Sequence, residues 1–142
     1  MIFQYTWEKV LAGQKTQTRR IVKPEHWEFC DGPELAIDTV FYGTRIKWQV
    51  GRTYAVQPGR GKPAVGRIKI TAIRKERVQD ITEADAVAEG FAGLCGYGVY
   101  MEPRDHFFEA WNEINNRPGC RVEDKPAVWV LELEQVPEPE PA

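Results

Sequence analysis

The run Gly13-Gln14-Lys15-Thr16-Gln17-Thr18-Arg19-Arg20 concentrates the most chemically capable side chains of the chain. It holds an amine, hydroxyl groups and two guanidinium groups within one short stretch. Thr16 to Val22 is rich in β-branched residues and predicts a strand. On a strand, Thr16, Thr18 and Arg20 share one face, while Gln17, Arg19 and Ile21 share the other. Lys15 sits in the turn before the strand and is free to lean either way. A lysine at a bend, with a threonine and an arginine converging on one face, can bind or process a polar or anionic ligand. The same pattern also describes a solvated basic edge strand. Arg19, on the opposite face, is expected to be structural or at the surface.

The elements around this run set its geometry. Thr6 is a fair N-cap, and Trp7, Val10 and Leu11 give a short helix an apolar face that ends at Gly13. Lys23-Pro24 interrupts pairing, and 24–33 reads as a loop around Asp31-Gly32-Pro33. Residues 34–42 and 44–50 predict two strands joined near Gly43, and Thr53 to Gln57 a short third. The run Pro58-Gly59-Arg60-Gly61-Lys62-Pro63 is a basic loop but not a phosphate-cradling P-loop, since no helix and no Gly-Lys-Ser/Thr follow. Val65 to Val78 alternates over a long strand, with Ala127–Gln135 as its expected partner. Two helices come between them. The first opens on Thr82, with Asp85 in a capping-box position, and stops at Gly90; Glu83 and Asp85 read as first-turn acids. The second runs from Pro103 to Asn115 with Phe107, Phe108, Trp111 and Ile114 on one face. Gly93 to Gly98 reads as a lid or a linker.

A chain of 142 residues fits a single domain, here 1–135, followed by a Pro/Glu tail over 136–142 that is disordered by composition. No apolar run approaches the roughly 20 residues of a membrane span, and the first residues lack a signal pattern. A cytoplasmic protein without membrane contact is expected. Cys30, Cys95 and Cys120 are odd in number and far apart, and with His26 and His106 they predict no metal site. Both histidines default to surface or capping roles.

The net charge of −2 hides an asymmetry. Residues 1–43 carry 5 Lys/Arg and 6 Asp/Glu, residues 44–77 carry 10 and 1, and residues 78–142 carry 4 and 14. The basic block either faces a phosphate backbone or pairs with the acidic helices after folding. Near-neutral total charge argues against tight, sequence-blind binding to long duplexes. A nucleoside or a short RNA remains compatible. Trp48 and Tyr54, inside the basic block, are candidates for a base-stacking wall that binds substrate. Trp111 and Trp129 read as core.

Gly13-x-Lys15-x-x-Thr18-x-Arg20 resembles the signature that opens ASCH domains, small β-barrels of the PUA-like class associated with RNA. Three more segments resemble the family in order. They are the central strand Gly66–Thr71, the acidic helix Asp80–Phe91 and the closing strand Pro126–Leu133. The likeness is strongest to phage-type members, which carry Leu-Ala-Gly-x-Lys-Thr-x-Thr-Arg-Arg almost as residues 11–20 stand here. Residues 24–50 and 92–125 are poorly matched, and Arg52 stands where many relatives have Asp. The resemblance implies an α+β fold, a small barrel of mixed strands with about three flanking helices.

The resemblance also implies chemistry. In ASCH-like amidohydrolases that deacetylate acetylcytidine, the catalytic set is a motif lysine, a threonine and a glutamate of the acidic helix. These fall on Lys15, Thr18 and Glu89, and the motif arginine on Arg20, which would bind substrate. Thr18 would supply the attacking hydroxyl or position a water. Lys15 would act as base if burial depresses its pKa, and Glu89 would pass the proton to the departing amine. No cofactor is implied. Two alternatives remain beside this reading: an RNA-binding module that uses the same cations without chemistry, and an ASCH-type ribonuclease.

Overall fold

The computed structural model describes residues 1–96 and 99–137. Among the described residues, nine strands and three α-helices follow in the order α1 (Trp7–Leu11), β1 (Gln17–Ile21), β2 (His26–Asp31), β3 (Ala36–Tyr42), β4 (Arg45–Gln49), β5 (Thr53–Val56), β6 (Gly66–Arg77), α2 (Glu83–Ala88), β7 (Leu94–Gly96), β8 (Val99–Met101), α3 (Pro103–Ile114) and β9 (Ala127–Val136). Seven strands form one antiparallel sheet in the order β1-β9-β6-β3-β2, with β4 added to β3 and β5 to β6. β7 and β8 pair separately as a hairpin.

The sheet is not a closed barrel, which corrects the expected architecture. β3 meets β6 at a single pair, Ile37 with Ile73, because β4 and β5 occupy the remaining lengths of those two edges. The sheet therefore branches and splays, leaving β1 and β2 as edges. The expected mixture of strand directions is also corrected. Every ladder is antiparallel, and parallel pairing among the described residues is confined to the bridge from Ile2 to Gln57.

β9 lies between β1 and β6 and separates two cores. Its period-two alternation sends Trp129, Leu131 and Leu133 into one cluster with Val40, Val56, Ile68, Ile70 and Ile73. Val128 and Val130 point into the other, with Val78, Ile81, Phe107 and Trp111 from the helical side. A bulge keeps β6 in phase with this pattern. The register shift at Thr71 lets Ile70 face Leu133 and Ile73 face Leu131, so both isoleucines reach the same core despite their odd spacing. Burying such aliphatic side chains contributes roughly 1.5–3 kcal/mol each.

The segment expected to be a loop over 24–33 holds β2 instead, paired with β3 from His26–Tyr42 to Asp31–Ala36. Pro24 lies before its first residue and so removes no ladder bond. Strands β1, β3, β4, β5, β6 and β9, and helices α2 and α3, fall where the alternation and capping residues place them, whereas β7 begins inside the run read as a lid or linker. Thr82 accepts from the Asp85 backbone N–H as the N-cap of α2. Gly13 and Gly90 both adopt positive φ, +73° and +102°, and end their helices. Val136 closes β9, and residues 138–142 of the Pro/Glu tail lie outside the described residues, as do Tyr97 and Gly98 of the glycine-rich run. No helix is long and apolar enough to cross a membrane among the described residues.

Candidate functional site

β1 is an edge strand that pairs only with β9, and this places its side chains around one cavity. Thr18 and Arg20 lie opposite Leu131 and Trp129, on the face of the first core. Arg19 and Ile21 lie opposite Val130 and Val128, on the helical face. Because the outer edge carries no further strand, side chains from both faces line the same space. A cavity of about 240 Å³ runs along this edge, lined by Lys15, Thr18, Arg19, Arg20 and Glu89. Its apolar walls come from Phe3, Phe91, Phe107, Trp111 and Ile114.

Backbone contacts bring Lys15 and Glu89 together. The Thr16 N–H donates to the Ala88 carbonyl at 2.7 Å, tying the start of β1 to the last turn of α2. Glu89 is the C-cap of that helix. Lys15 Nζ then donates to Glu89 Oε1 at 2.7 Å and to the Glu89 backbone carbonyl at 2.9 Å. Lys9 donates to the next carbonyl, that of Gly90. Two lysines thus satisfy carbonyls at the end of α2 that have no helical partner. A Cβ at Gly90 would lie 3.1 Å from the Lys9 side chain, so that position has little room as well as a left-handed backbone.

The pair is buried, with side-chain exposures of 5% for Lys15 and 3% for Glu89. Burial pushes the Lys15 pKa below the usual lysine range, and the nearby Arg20 and Arg19 charges push the same way. Contact with Glu89 opposes that shift without cancelling it. Its surroundings therefore favour release of the Lys15 proton relative to an exposed lysine. Arg20 is also held below its ordinary range, by burial, with Glu89 opposing. Its guanidinium donates to the Ile2 carbonyl at 2.8 Å and lies 5.3 Å from the centre of the Phe3 ring.

Arg19 is the residue whose role the sequence reading missed. Its side chain is 0% exposed and sits among three carboxylates: Glu76 at 2.7 Å, Asp85 at 3.2 Å and Glu89 at 3.3 Å. The strand alternation put it on the correct face. What lay hidden was that α2 packs on that face. The signal available was the spacing of Asp85 and Glu89, one helical turn apart, which sets both acids on one side of α2. Asp85 is accordingly more than a first-turn acid, since it also accepts from Gln17 and Arg74. The basic block and the acidic helix do pair here, through Arg74 with Asp85, and Arg74 also pairs with Glu132 of β9.

The two aromatic candidates fall elsewhere. Trp48 is 6% exposed and packs in the first core, with one side on a second cavity that borders the first. The Tyr54 hydroxyl accepts from the Gln49 backbone N–H at 2.9 Å and its ring packs against the first core. His26 is not a free surface group. Its Nδ1 accepts from the buried Trp129 indole and from the Lys23 backbone, each at 3.0 Å. Among the described residues, no cluster of His, Cys, Asp and Glu is arranged to hold a metal ion.

No family model matches the chain, and no curated protein matches it. Solved structures do. A crystal structure of an Enterococcus faecalis protein assigned to the DUF984 family matches over 92% of this chain and 69% of its own, with 14% identity and a TM-score of 0.55. The ASCH domain of a Lactobacillus crispatus protein matches over 94% of this chain and 74% of its own, with 17% identity and a TM-score of 0.51. At these identities the likeness is one of fold, and the chain has an α+β fold similar to that of an ASCH domain.

Proposed function

We propose that the chain is a small amidohydrolase that removes the acetyl group from acetylcytidine, with Lys15, Thr18 and Glu89 as its catalytic set. The observation that carries this reading is the buried Lys15–Glu89 contact of 2.7 Å on the wall of a cavity that Thr18 also lines. A lysine and a carboxylate hydrogen-bonded in a mostly apolar pocket form a proton-transfer pair rather than a solvated ion pair. The fold similarity to an ASCH domain is compatible with the reading, and the resemblance of residues 13–20 supplies its substrate.

Lys15, once neutral, takes the proton from the Thr18 hydroxyl or from a water that Thr18 positions. The released oxygen attacks the acetyl carbonyl, and the Arg20 guanidinium faces the charge that develops there. Collapse of the tetrahedral intermediate breaks the amide C–N bond, and Glu89 relays the proton to the departing exocyclic amine. The products are cytidine and acetate. If Thr18 is the nucleophile, the acetyl group passes through an ester on its oxygen before water releases it.

The test is hydrolysis of acetylcytidine by purified protein, followed by chromatography beside Lys15→Ala. Cytidine formed by the wild type alone supports the assignment. No product at enzyme concentrations near that of substrate refutes it.

A further inference from the structure

The cations of the second cavity have no counterpart in the chemistry above. This cavity, of about 540 Å³, shares Arg20, Ile21 and Asn115 with the first, so the two adjoin along these residues. Lys23, Arg45, Lys47 and Arg117 join Arg20 around it, and no aspartate or glutamate lines it. The contrast with the first cavity is sharp. There, Lys15 and Arg19 are matched by buried carboxylates. Here, Lys23, Arg45, Lys47 and Arg117 make no ion pair among the described residues. These four cations come from separate stretches, the β1–β2 connection, β4 and the segment after α3, and are gathered only by folding.

Two buried donors at this cleft lack acceptors. Arg20 Nε has no hydrogen-bond partner among the described residues. His26 accepts through Nδ1 from two donors, which leaves its proton on Nε2, and that atom too has no partner. Both side chains line the second cavity. Buried donors without acceptors cost stability, and an anion is the group that meets several cations at once. Tyr42, 41% exposed, adds an aromatic edge to the same wall.

We infer that the second cavity seats a phosphate group, so that the ligand of the cleft is a nucleotide rather than a free nucleoside. This extends the reading of the first cavity as a nucleoside pocket and rests on it. The base enters between Thr18, Lys15 and the aromatic walls, the sugar passes Arg20 and Asn115, and the phosphate meets Lys47, Arg45 and Arg117. The phosphate belongs either to a mononucleotide or to a strand of RNA. In both cases the recognised chemistry is a phosphate ester beside a cytosine nucleoside.

The experiment is calorimetric titration of the full chain with cytidine, cytidine monophosphate phosphorylated on the 5′ oxygen, and a short single-stranded oligocytidylate. The monophosphate should bind about tenfold or more tightly than cytidine, as charge-assisted hydrogen bonds are made. Lys47→Ala with Arg117→Ala should reduce that preference to near unity. Arg60→Ala with Lys62→Ala removes two charges from the basic loop outside the cavity and should leave the preference intact. Equal binding of cytidine and the monophosphate overturns the proposal. So does no binding of either, or a preference lost equally in both double variants, which would mark diffuse attraction. An oligonucleotide bound more tightly than the monophosphate, with log affinity falling about 0.7 per phosphate contact as log salt rises, assigns the phosphate to an RNA strand. A phosphate preference without hydrolysis of either acetylcytidine or its 5′-phosphate keeps this inference and removes the hydrolase. Hydrolysis with no phosphate preference does the reverse.

Discussion

Glu89 divides its carboxylate between two cations, Lys15 from the turn before β1 and Arg19 from the helical face of that strand. Oε1 accepts from Lys15 at 2.7 Å and Oε2 faces Arg19 at 3.3 Å. The division fixes the carboxylate's orientation without consuming the Lys15 contact, since Arg19 is itself held by Glu76 and Asp85. Arg19, on the helical face of β1, thereby holds the buried Lys15–Glu89 pair in place.

Removing Glu89 should cost both turnover and stability. The sequence alone suggests that Glu89→Ala leaves the melting temperature near that of wild type, but the burial of the pair argues otherwise. Glu89→Leu leaves a buried ammonium without its carboxylate, which costs about 3–5 kcal/mol. Adding Lys15→Met should recover most of that loss while activity stays absent. Urea denaturation of the two single variants and the double variant measures this. Additive losses would show that the two side chains do not interact in solution.

The pH dependence follows from the direction of the Lys15 shift. Its pKa is lowered on folding, so the unfolded chain holds the proton more tightly. Stability should therefore rise with pH between the folded value and the ordinary 10.5, and the contribution is absent at lower pH. The N-terminal amine shifts in the same direction, but its window closes near 8.0. Urea midpoints of wild type minus those of Lys15→Met should climb between about pH 8 and 10.5. Turnover should rise with pH through the same lowered value. A flat difference and a flat rate profile would remove Lys15 as the base.

Thr18 is 4% exposed, and valine has nearly its shape. Thr18→Val should keep the fold, with a melting temperature within a few degrees of wild type. If the hydroxyl attacks, turnover should fall about 10³-fold or more, and Thr18→Ser should recover part of it. Substantial activity in the valine variant would transfer the attack to water.

Arg19 should matter most for stability. Arg19→Leu leaves Glu76, Asp85 and Glu89 close together with no guanidinium between them, at a cost of about 3–5 kcal/mol. Arg19→Lys should be almost as damaging, because a single ammonium cannot span three carboxylates as a planar fork does. Chemical denaturation checks both, and a lysine variant as stable as wild type would contradict this account.

Much of the site was legible because its signals are local. Gly13, the threonine run and the Thr82 cap each act within a few residues through backbone conformation or a short hydrogen bond, and the helix ends and β1 follow from them. β2 was illegible. Pro24 and the Asp31-Gly32-Pro33 turn look like loop punctuation, and only the pairing partner β3 shows that the residues between them form a strand. The barrel failed for a related reason. Strand alternation specifies faces, while closure depends on how β4 and β5 compete for the edges of β3 and β6.

The sequence by itself determined which groups are present and which local faces they occupy: Thr18 with Arg20 on one side of a strand, Arg19 on the other, Asp85 and Glu89 one turn apart on a helix. Only the tertiary structure decided that α2 packs over the free edge of β1, so that Lys15, Arg19 and Glu89 meet in one buried cluster. It also decided that Lys23, Lys47 and Arg117, scattered along the chain, face one cleft without carboxylates. The physical reason is range. Backbone preference and side-chain periodicity act over a few residues, whereas burial and charge pairing act between segments that sequence separates by 70 residues or more, as with the 74 between Lys15 and Glu89.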